Sequence, residues 1–341
     1  MPDLVTIDEI RAAARRIAGQ AIRTPLLFAP WATAGTARSA AGPAGAAHPD
    51  DDPVPAPATE LWLKPELLQP IGAFKIRGAV NAIAAMDPQQ RARGVLAHSS
   101  GNHAQAVAYA ARLFGVDAHI VIPDNAPPRK IAATEALGAT VELVPLAQRF
   151  SRPLEIQAET GKPMVPPFDD RDVIAGQGTI GLEIAEDAPD VAAILVPVSG
   201  GGLISGIAAA AAALLPDTQV IGVEPELAGD ATESFRTGIR ADWEPQRTAR
   251  TIADGLRAHR IGELPWQHIQ AQVHDMVTVT EDEIRYATRL LVLNAHLAAE
   301  PSGAVATAAH LYHSESLPAG KRVSILSGGN IDPAVLRDIL A

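Results

Sequence analysis

Three short segments of the sequence carry residues that could do chemistry together. The first is the mostly apolar run Gly72–Ala79, which contains Lys75. The second is Ser99–His103, made of small polar residues and a histidine, and the third is Ser199–Leu203, with three consecutive glycines. A lysine amine becomes a nucleophile toward an aldehyde when its pKa falls, and apolar surroundings lower that pKa. The first segment therefore predicts an amine that can form a Schiff base.

The glycine segment lies between a predicted strand, Ile194–Val198, and a predicted helix, Leu203–Leu215. Consecutive glycines at such a junction let backbone N–H groups converge on an anion, and the helix dipole adds a favourable potential. It is not a Walker loop, because no Gly-Lys-Ser/Thr follows, and the third glycine of the dinucleotide fingerprint is misplaced. The segment predicts a phosphate-binding loop, with a plain flexible turn as the alternative.

The segment Ser99–His103 also joins a predicted strand, Gly94–His98, to a predicted helix, Asn102–Phe114. One serine would be enough to cap that helix, which is the simpler interpretation. A run of small polar residues at a helix N-terminus suits the carboxylate of a bound amino acid better. Considered alone, His103 fits a structural role better than a catalytic one. With Lys75 and the glycine loop, this segment completes the parts of a pyridoxal phosphate enzyme.

Two further loops follow predicted strands. The simpler interpretation of Ser327–Asn330 is a turn. Ser327 could also face a cofactor ring, because open α/β sheets bind ligands at the carboxyl ends of their strands. In Glu224–Asp230 two carboxylates stand six residues apart with backbone carbonyls between them, a set that can bind a hard cation through oxygen. Taken alone, such an acidic loop is more often solvated surface.

The elements that must position these loops alternate between strand and helix along the chain. The predicted strands are Leu61–Lys64, Gly94–His98, His119–Pro123, Thr140–Val144, Ala193–Val198, Gln219–Val223 and Arg322–Leu326. Helical patterns separate most of them, which predicts parallel sheets covered by helices on both faces, an α/β fold. Thr33 to Thr59 is rich in Ala, Gly and Pro and is expected to be a mobile surface insertion.

Composition excludes several classes of protein. Cysteine is absent, so disulfides, thiolate catalysis and cysteine metal sites are excluded. A formal net charge of −11 argues against a nucleic-acid partner. No run of about eighteen apolar residues occurs, so no membrane partner is expected. The acidic segment Met1–Ile10 has no apolar core, so we expect no secretory signal and a cytoplasmic location.

Taken together, these residues resemble the fold-type II pyridoxal phosphate enzymes, in particular the threonine/serine dehydratase and serine racemase family. The resemblance covers nearly the whole chain with the same order and spacing. The matching segments are Phe74–Ala79, Ser99–His103, Ala175–Thr179, Gly200–Leu203, Ile252–Gly255, Glu300–Gly303 and Ser327–Asn330. Two departures are Ala73, where the family often has serine, and the length of the insertion.

The resemblance implies a role for each residue of the cofactor site. Lys75 would carry pyridoxal 5′-phosphate through its amine, and Ser327 would bond the pyridine nitrogen. A hydroxyl at that position weakens the electron sink and favours elimination over transamination. The other cofactor-binding residues would be Phe74 beside the ring, Asn102 on its phenolic oxygen, and Ser199, Gly200, Gly201, Gly202 and Leu203 around the phosphate.

The resemblance also implies a substrate site and a metal site. Ser99, Ser100, Asn102 and His103 would bind the substrate carboxylate. Ser100 is serine as in the racemase-like members, where it can move a proton on the ring face opposite Lys75. Glu224, the carbonyl of Ala228 and Asp230 match a divalent-cation site that would hold Mg²⁺ or Ca²⁺.

The resemblance implies a tryptophan synthase β-like fold of two domains, each with a twisted parallel sheet covered by helices. We expect residues 1–93 and 169–341 to form a large cofactor-binding domain, interrupted by the insertion at about 33–59. Residues 94–168 would form a small substrate-binding domain. A homodimer is expected.

The implied function is an ammonia-lyase that converts a β-hydroxy amino acid such as L-threonine or L-serine to a 2-keto acid and ammonia. Lys75 would remove the α-proton as general base, and the β-hydroxyl would then leave. Serine racemase, supported by Ser100, and 3-hydroxyaspartate dehydratase are alternatives within the same family. A non-catalytic cofactor- or amino-acid-binding protein is the alternative of a different class, and the intact Lys75 argues against it.

Overall fold

The strands of the protein form two separate sheets. A computed structural model describes residues 3–32 and 59–341, and the insertion expected at 33–59 lies, apart from Thr59, outside the described residues. The strands are β1 (Leu27–Phe28), β2 (Glu60–Pro65), β3 (Val95–His98), β4 (Ala118–Pro123), β5 (Thr140–Val144), β6 (Ala193–Pro197), β7 (Gln219–Pro225), β8 (Asp275–Val279) and β9 (Lys321–Leu326).

The larger sheet has the strand order β1-β2-β9-β6-β7-β8. Only the short edge strand β1 is antiparallel to its neighbour, and the other described pairs in this sheet are parallel. Strand β6 is buried over its whole length, as expected for an inner strand whose two faces are both covered by helices. Because its strands are parallel, the carboxyl ends of β6, β7 and β9 lie at one edge of the sheet.

The smaller sheet consists of β3, β4 and β5 in that order, all parallel. The predicted strands correspond to the observed ones within a residue or two, and the predicted α/β class is confirmed. This sheet lies within residues 94–168, the range expected for the small domain. The domain boundaries themselves stay a prediction.

The helices lie between the strands and beside the sheets. They are α1 (Ile7–Ile17), α2 (Lys75–Ala85), α3 (Pro88–Arg91), α4 (Asn102–Leu113), α5 (Pro128–Ala136), α6 (Ser151–Thr160), α7 (Arg171–Asp187), α8 (Gly202–Leu214), α9 (Asp230–Thr237), α10 (Pro245–Thr248), α11 (Glu263–Gln272), α12 (Glu281–Asn294), α13 (Pro301–Tyr312) and α14 (Pro333–Leu340). Within the described ranges, no helix has the length and apolarity that crossing a membrane requires.

Helix starts follow the local chemistry of the sequence. Thr6 and Glu9 form a reciprocal capping box at α1, and Thr280 and Glu283 form another at α12. The side chain of Asp170 accepts a hydrogen bond from the Val173 N–H at the start of α7. These side chains satisfy N–H groups that the first helical turn leaves without partners.

Helix α12 is shorter than its sequence pattern predicts. The pattern favours a helix from Asp282 to Ala299, whereas the observed helix ends at Asn294. His296 adopts a left-handed conformation with φ 57°, which stops the helix. The Glu300 N–H then donates to the Gly328 carbonyl, so the chain is drawn to the loop after β9 instead of continuing as helix.

Candidate active site

Lys75 is the first residue of α2, and its backbone is held beside the loop that follows β9. The Phe74 N–H donates to the Ser327 carbonyl at 3.0 Å, and Ala73 forms an isolated antiparallel bridge with Gly328. The Lys75 amine donates to the carbonyl of Pro167 and lies 5.0 Å from the centre of the Phe74 ring. The structure thus brings Lys75, Phe74 and the Ser327 loop together.

Burial lowers the pKa of the Lys75 amine to about 8. Removing the ammonium from water disfavours its charged form, and no nearby carboxylate among the described residues offsets this cost. A substantial neutral fraction is therefore present near neutral pH, and a neutral amine can act as nucleophile or as base.

Helix α2 is fixed by a buried cluster of charges, here called the Arg77 network: Lys64, Glu66, Arg77 and Glu183. Arg77 donates to both carboxylate oxygens of Glu66 at 2.8 Å and to those of Glu183 at 2.6 and 3.0 Å. Lys64 donates to Glu183 at 2.7 Å. Because these charges are paired and hydrogen-bonded, the first turn of α2 is anchored two residues from Lys75. This cluster was not predicted from the sequence.

The segment Ser199–Leu203 turns from β6 into α8 as predicted. Gly201 has φ 92°, a conformation that side chains rarely tolerate, and a Cβ on Gly200 would lie 2.2 Å from the Phe168 ring. The Gly262 N–H donates to the Gly200 carbonyl at 3.1 Å, which helps hold the loop. Glycines are therefore required here by the left-handed backbone and by close contact with a neighbouring ring.

The same loop leaves backbone donors available. Within the described parts of the chain, the N–H groups of Gly200, Gly201, Gly202 and Leu203 donate to no acceptor. Helix α8 begins at Gly202, so its positive end lies at the loop. Converging N–H groups at a helix N-terminus bind anions such as phosphate. This loop, the amine of Lys75 and the Ser327 hydroxyl fit the phosphate, aldehyde and ring of pyridoxal 5′-phosphate.

The loop Ser99–His103 joins β3 to α4, again as predicted. The Ser99 hydroxyl accepts a hydrogen bond from the Gly101 N–H at 3.2 Å, so it shapes the loop. Ser100 is partly exposed, and its hydroxyl makes no hydrogen bond with the residues described. Of the two serine hydroxyls, only that of Ser100 has no hydrogen bond among the described residues, whereas that of Ser99 keeps its O–H donor.

His103 is buried, and its Nε2–H donates to the Val165 carbonyl at 2.8 Å. Burial and the nearby charge of Lys75 lower the pKa of His103 to about 3. The imidazole is therefore neutral at physiological pH. Its anchored ring places His103 close to the amine of Lys75, and its predicted contact with substrate stays a prediction.

Asn102 is held by two partners that come from the far end of the chain. Its amide nitrogen donates to Glu300 at 2.7 Å, and its amide oxygen accepts from Asn330 at 2.7 Å. One amide N–H remains for a ligand. Burial, with the charge of Asp254 next, raises the pKa of Glu300 to about 7. Glu300 was not predicted as a functional residue, although its Glu-Pro-Ser-Gly motif was a signal.

Ser327 lies at the end of β9 and is 4% exposed. Its hydroxyl donates to the Ser302 carbonyl at 3.4 Å, near the outer limit of a hydrogen bond. Rotation of the hydroxyl toward a ring nitrogen would therefore give up only a weak bond. This geometry is compatible with the predicted contact between Ser327 and the cofactor ring.

The proposed metal ligands lie where β7 ends and α9 begins. Glu224 is buried and accepts from the Thr232 N–H at 2.6 Å and the Thr232 hydroxyl at 2.8 Å. Neither carboxylate oxygen of Asp230 has a hydrogen-bond partner among the described residues, although the side chain is buried. Burial and the neighbouring Asp230 raise the pKa of Glu224 well above its usual range, and burial raises that of Asp230 to about 7.

Two buried carboxylates without a cation are costly, because each disfavours the charge on the other. The described residues contain no group of three or more His, Cys, Asp or Glu side chains suited to a metal. A site here would depend on two carboxylates and a backbone carbonyl such as that of Ala228. The two oxygens of Asp230, which have no partner among the described residues, fit a hard cation, because hard cations favour oxygen ligands.

Residues 53–328 match the family described as pyridoxal-phosphate dependent enzyme. The chain belongs to this family. Its cofactor is therefore pyridoxal 5′-phosphate, as predicted from the sequence. The chain is 46% identical over 286 residues to L-threonine ammonia-lyase of Thermotoga maritima, with 82% of this chain and 70% of the relative covered.

Two other relatives have different activities. The chain is 41% identical over 288 residues to serine racemase of Oryza sativa, covering 82% of this chain and 84% of the racemase. It is 40% identical over 282 residues to L-threo-3-hydroxyaspartate ammonia-lyase of Saccharomyces cerevisiae, covering 80% and 83%. The prediction of an enzyme of the threonine/serine dehydratase and serine racemase family is confirmed.

Solved structures agree with this assignment. The maize serine racemase structure superposes with a TM-score of 0.85 at 37% identity, covering 98% of this chain and 96% of the other. A pyridoxal 5′-phosphate-dependent aspartate racemase gives 0.85 at 32% identity, covering 98% of each chain. The predicted fold-type II architecture is confirmed.

Proposed function

We propose that the protein is an ammonia-lyase that converts a β-hydroxy amino acid, such as L-threonine or L-serine, to a 2-keto acid and ammonia. The observation that carries this proposal is the amine of Lys75. Burial lowers its pKa to about 8, and Lys75 lies beside the Ser327 loop, while the glycine loop offers its backbone N–H groups to a phosphate. When bound, pyridoxal phosphate supplies the electron sink that stabilises negative charge at the substrate α-carbon.

The residues that would hold the cofactor differ in what they contribute. The N–H groups of Gly200–Leu203 supply dipoles toward the phosphate, with Ser199 at the start of the loop. Phe74 packs beside the Lys75 amine and gives the site an apolar wall. Asn102 offers its second amide N–H to the phenolic oxygen, and the Ser327 hydroxyl can turn to the ring nitrogen.

The proton chemistry belongs to Lys75. A neutral amine with a pKa of about 8 can take the substrate α-proton near neutral pH, and the loss of this proton is balanced by departure of the β-hydroxyl as water. The loop Ser99–His103 lies at the N-terminus of α4, where Ser100 and the remaining N–H of Asn102 can orient the substrate carboxylate. In the net reaction the β-hydroxyl leaves as water, one water is added back, and ammonia is released with the keto acid.

Labelling and keto acid release test this proposal. Borohydride reduction should fix the cofactor on Lys75, and Lys75→Ala should remove both the fixed label and turnover, with a loss of about 100- to 10,000-fold. Lys162→Ala, which replaces a lysine at another position in the chain, is the matched control and should retain both. A fixed label on any other lysine would contradict the proposed role of Lys75.

Racemisation of serine is the second candidate function, and the Ser100 hydroxyl, which makes no hydrogen bond with the residues that the structure describes, favours it. Inversion at the α-carbon needs a proton donor on the face opposite the base, whereas elimination does not. Ser100 lies in the loop predicted to bind the substrate and has no competing hydrogen bond with the residues described. We therefore infer that inversion accompanies elimination as a minor reaction.

We also propose that Glu224, the Ala228 carbonyl and Asp230 bind Mg²⁺ or Ca²⁺. The support is the pair of buried carboxylates and the partnerless oxygens of Asp230. A divalent cation would offset the repulsion between them and order the segment from β7 to α9. The homodimer, the cytoplasmic location, the absence of a nucleic-acid partner and the domain boundaries stay predictions from the sequence.

A further inference from the structure

One ion pair connects the part of the chain that forms the smaller sheet with the part that forms the larger one. The Lys130 amine, in α5 between β4 and β5, contacts the Asp254 carboxylate, in the segment between β7 and β8. Among the described residues, the other ion pairs of residues 94–168 have both partners inside that range. The pair of Lys130 and Asp254 is therefore the ion pair that bridges the two sheets.

The pair is partly shielded from solvent, since its two side chains are 23% and 38% exposed. Next to it in α5, the Arg129 guanidinium donates to the Ile331 carbonyl, in the loop after β9, at 3.4 Å. That distance is near the outer limit of a hydrogen bond, so this neighbouring bridge is weak. The charges of Lys130 and Asp254 therefore supply the stronger attraction between α5 and the larger-sheet side.

Asp254 is joined to the loop that would face the cofactor. The next residue, Gly255, donates its N–H at 2.8 Å to the hydroxyl of Ser302, in the first turn of α13. The Ser302 carbonyl in turn accepts a hydrogen bond from the Ser327 hydroxyl. The position of Asp254 is therefore tied to that of α13.

Another polar bridge between the sheets lies beside the pair. Asn102 follows β3 and donates its amide N–H at 2.7 Å to Glu300, which precedes α13. Burial raises the pKa of Glu300, the charge of Asp254 raises it further, and the charge of Lys130 opposes this rise. Both members of the ion pair are therefore close enough to act on the carboxylate that holds Asn102.

We propose that Lys130 and Asp254 are positioning residues that hold the two sheets at the separation at which Asn102 meets Glu300. The two ends of that hydrogen bond come from different sheets, so its length depends on how the sheets are held together. Hydrogen bonds weaken steeply once the donor–acceptor geometry leaves a narrow range. The consequence for catalysis rests on the proposed function, in which the second N–H of Asn102 contacts the phenolic oxygen of the cofactor. Without the ion pair, Asn102 would move away from that oxygen.

The separation between the sheets can be measured directly, because the chain contains no cysteine and two introduced cysteines can be labelled selectively. Ala136 in α5 and Ala249 on the larger-sheet side are both exposed, so each position accepts a spin label once it is changed to cysteine. Double electron–electron resonance of the labelled holoenzyme gives the distribution of distances between the labels. Lys130→Met and Asp254→Asn should each shift or broaden this distribution, and Lys130→Arg, which keeps the cation, should preserve it.

Retention of the cofactor supplies a second measurement. Equilibrium dialysis of the holoenzyme gives the dissociation constant of pyridoxal 5′-phosphate. Lys130→Met and Asp254→Asn should each raise this constant by roughly 3- to 30-fold, and the double variant should raise it about as much as one single variant, because the same interaction is lost in all three. Lys321→Met is the matched control, since its lysine is also 23% exposed and pairs at 2.6 Å with Asp190, within the larger-sheet part of the chain. It should change neither measurement.

The two measurements distinguish the steps of the proposal. Unchanged label distances in both single variants, or a loss in the double variant equal to the product of the two single losses, would overturn the proposed role of the pair. Altered distances with an unchanged dissociation constant would overturn its effect on Asn102. Neither measurement depends on turnover, so an absence of keto acid from every substrate with wild type would overturn the ammonia-lyase proposal and not the role of the pair.

Discussion

The side chains of Arg77 and Asp230 are both about 1% exposed, yet among the described residues only Arg77 forms ion pairs and hydrogen bonds with groups of opposite charge. Burial pushes the pKa of Glu66 upward, but the charge and hydrogen bonds of Arg77 outweigh it, and the pKa is lowered. At Glu224 the neighbour is another acid, and burial and repulsion both raise the pKa. Equal burial thus has opposite consequences, depending on the sign of the neighbouring charge.

The presence or absence of an internal partner distinguishes charges that stabilise the fold from charges that are candidates for binding a ligand. The Arg77 network satisfies its members internally and joins β2, α2 and α7. The carboxylate oxygens of Asp230 and the hydroxyl of Ser100 have no hydrogen-bond partner among the described residues. Since buried polar groups are normally paired, the unpaired oxygens of the buried Asp230 are where an external ligand is expected.

Breaking the Arg77 network should have the largest effect on stability. Arg77→Met leaves Glu66 buried with no cation on its carboxylate, and we expect a loss of about 3–5 kcal/mol in the free energy of unfolding. Urea denaturation followed by circular dichroism measures it. The control Arg285→Met breaks the exposed pair with Asp338 and should cost less than about 1 kcal/mol. Equal costs in the two variants would show that the network contributes no more than a surface pair.

The network also shows why only part of the site could be predicted from the sequence. Lys75 and Ser199–Leu203 could be predicted because each belongs to a motif of consecutive residues at the start of a helix. The Arg77 network brings together residues 64, 66, 77 and 183, and nothing in the local sequence around each residue indicates the others. Glu300 is similar, since its raised pKa depends on burial and on Asp254, which is distant in sequence.

Loop positions were the hardest to predict for the same reason. The strands of the smaller sheet were predicted to within a residue or two from their apolar runs. The Pro167 carbonyl, which accepts a hydrogen bond from the Lys75 amine, carried no signal, because the two residues lie 92 positions apart in the sequence. This contact depends on the pairing of the segment after α6 with β3, in which the Leu96 N–H donates to Pro163 and the Val165 N–H donates to Leu96.

Removal of a metal from the pair Glu224 and Asp230 should have the next largest effect on stability. Both acids have folded-state pKa values above their unfolded values, so the folded state binds more protons. Without a cation, the free energy of unfolding should therefore fall as the pH rises from about 4 through about 7. Added Mg²⁺ or Ca²⁺ should reduce this fall, because the cation replaces the protons as counter-charge.

Melting temperatures with and without chelator measure the effect at neutral pH. Chelator should lower the melting temperature of wild type by several degrees and leave the melting temperature of the Asp230→Asn variant unchanged. Asp190→Asn removes an exposed acid paired with Lys321 and should respond to chelator like wild type. An equal response of wild type and Asp230→Asn would argue against a cation between these two carboxylates.

The smallest effect on stability and on elimination is expected at Ser100, which belongs to the groups without a hydrogen-bond partner among the described residues. Its hydroxyl is partly exposed and makes no hydrogen bond with the described residues, so Ser100→Ala should leave the free energy of unfolding within about 0.5 kcal/mol of wild type. Keto acid release should stay within about threefold, because elimination needs the base Lys75 and not a donor on the opposite face, and the second amide N–H of Asn102 still orients the substrate carboxylate. Formation of D-serine from L-serine should be abolished, since inversion needs that donor. Chiral chromatography beside a keto acid assay gives both rates, and D-serine formed faster than pyruvate by wild type would make racemisation the main reaction.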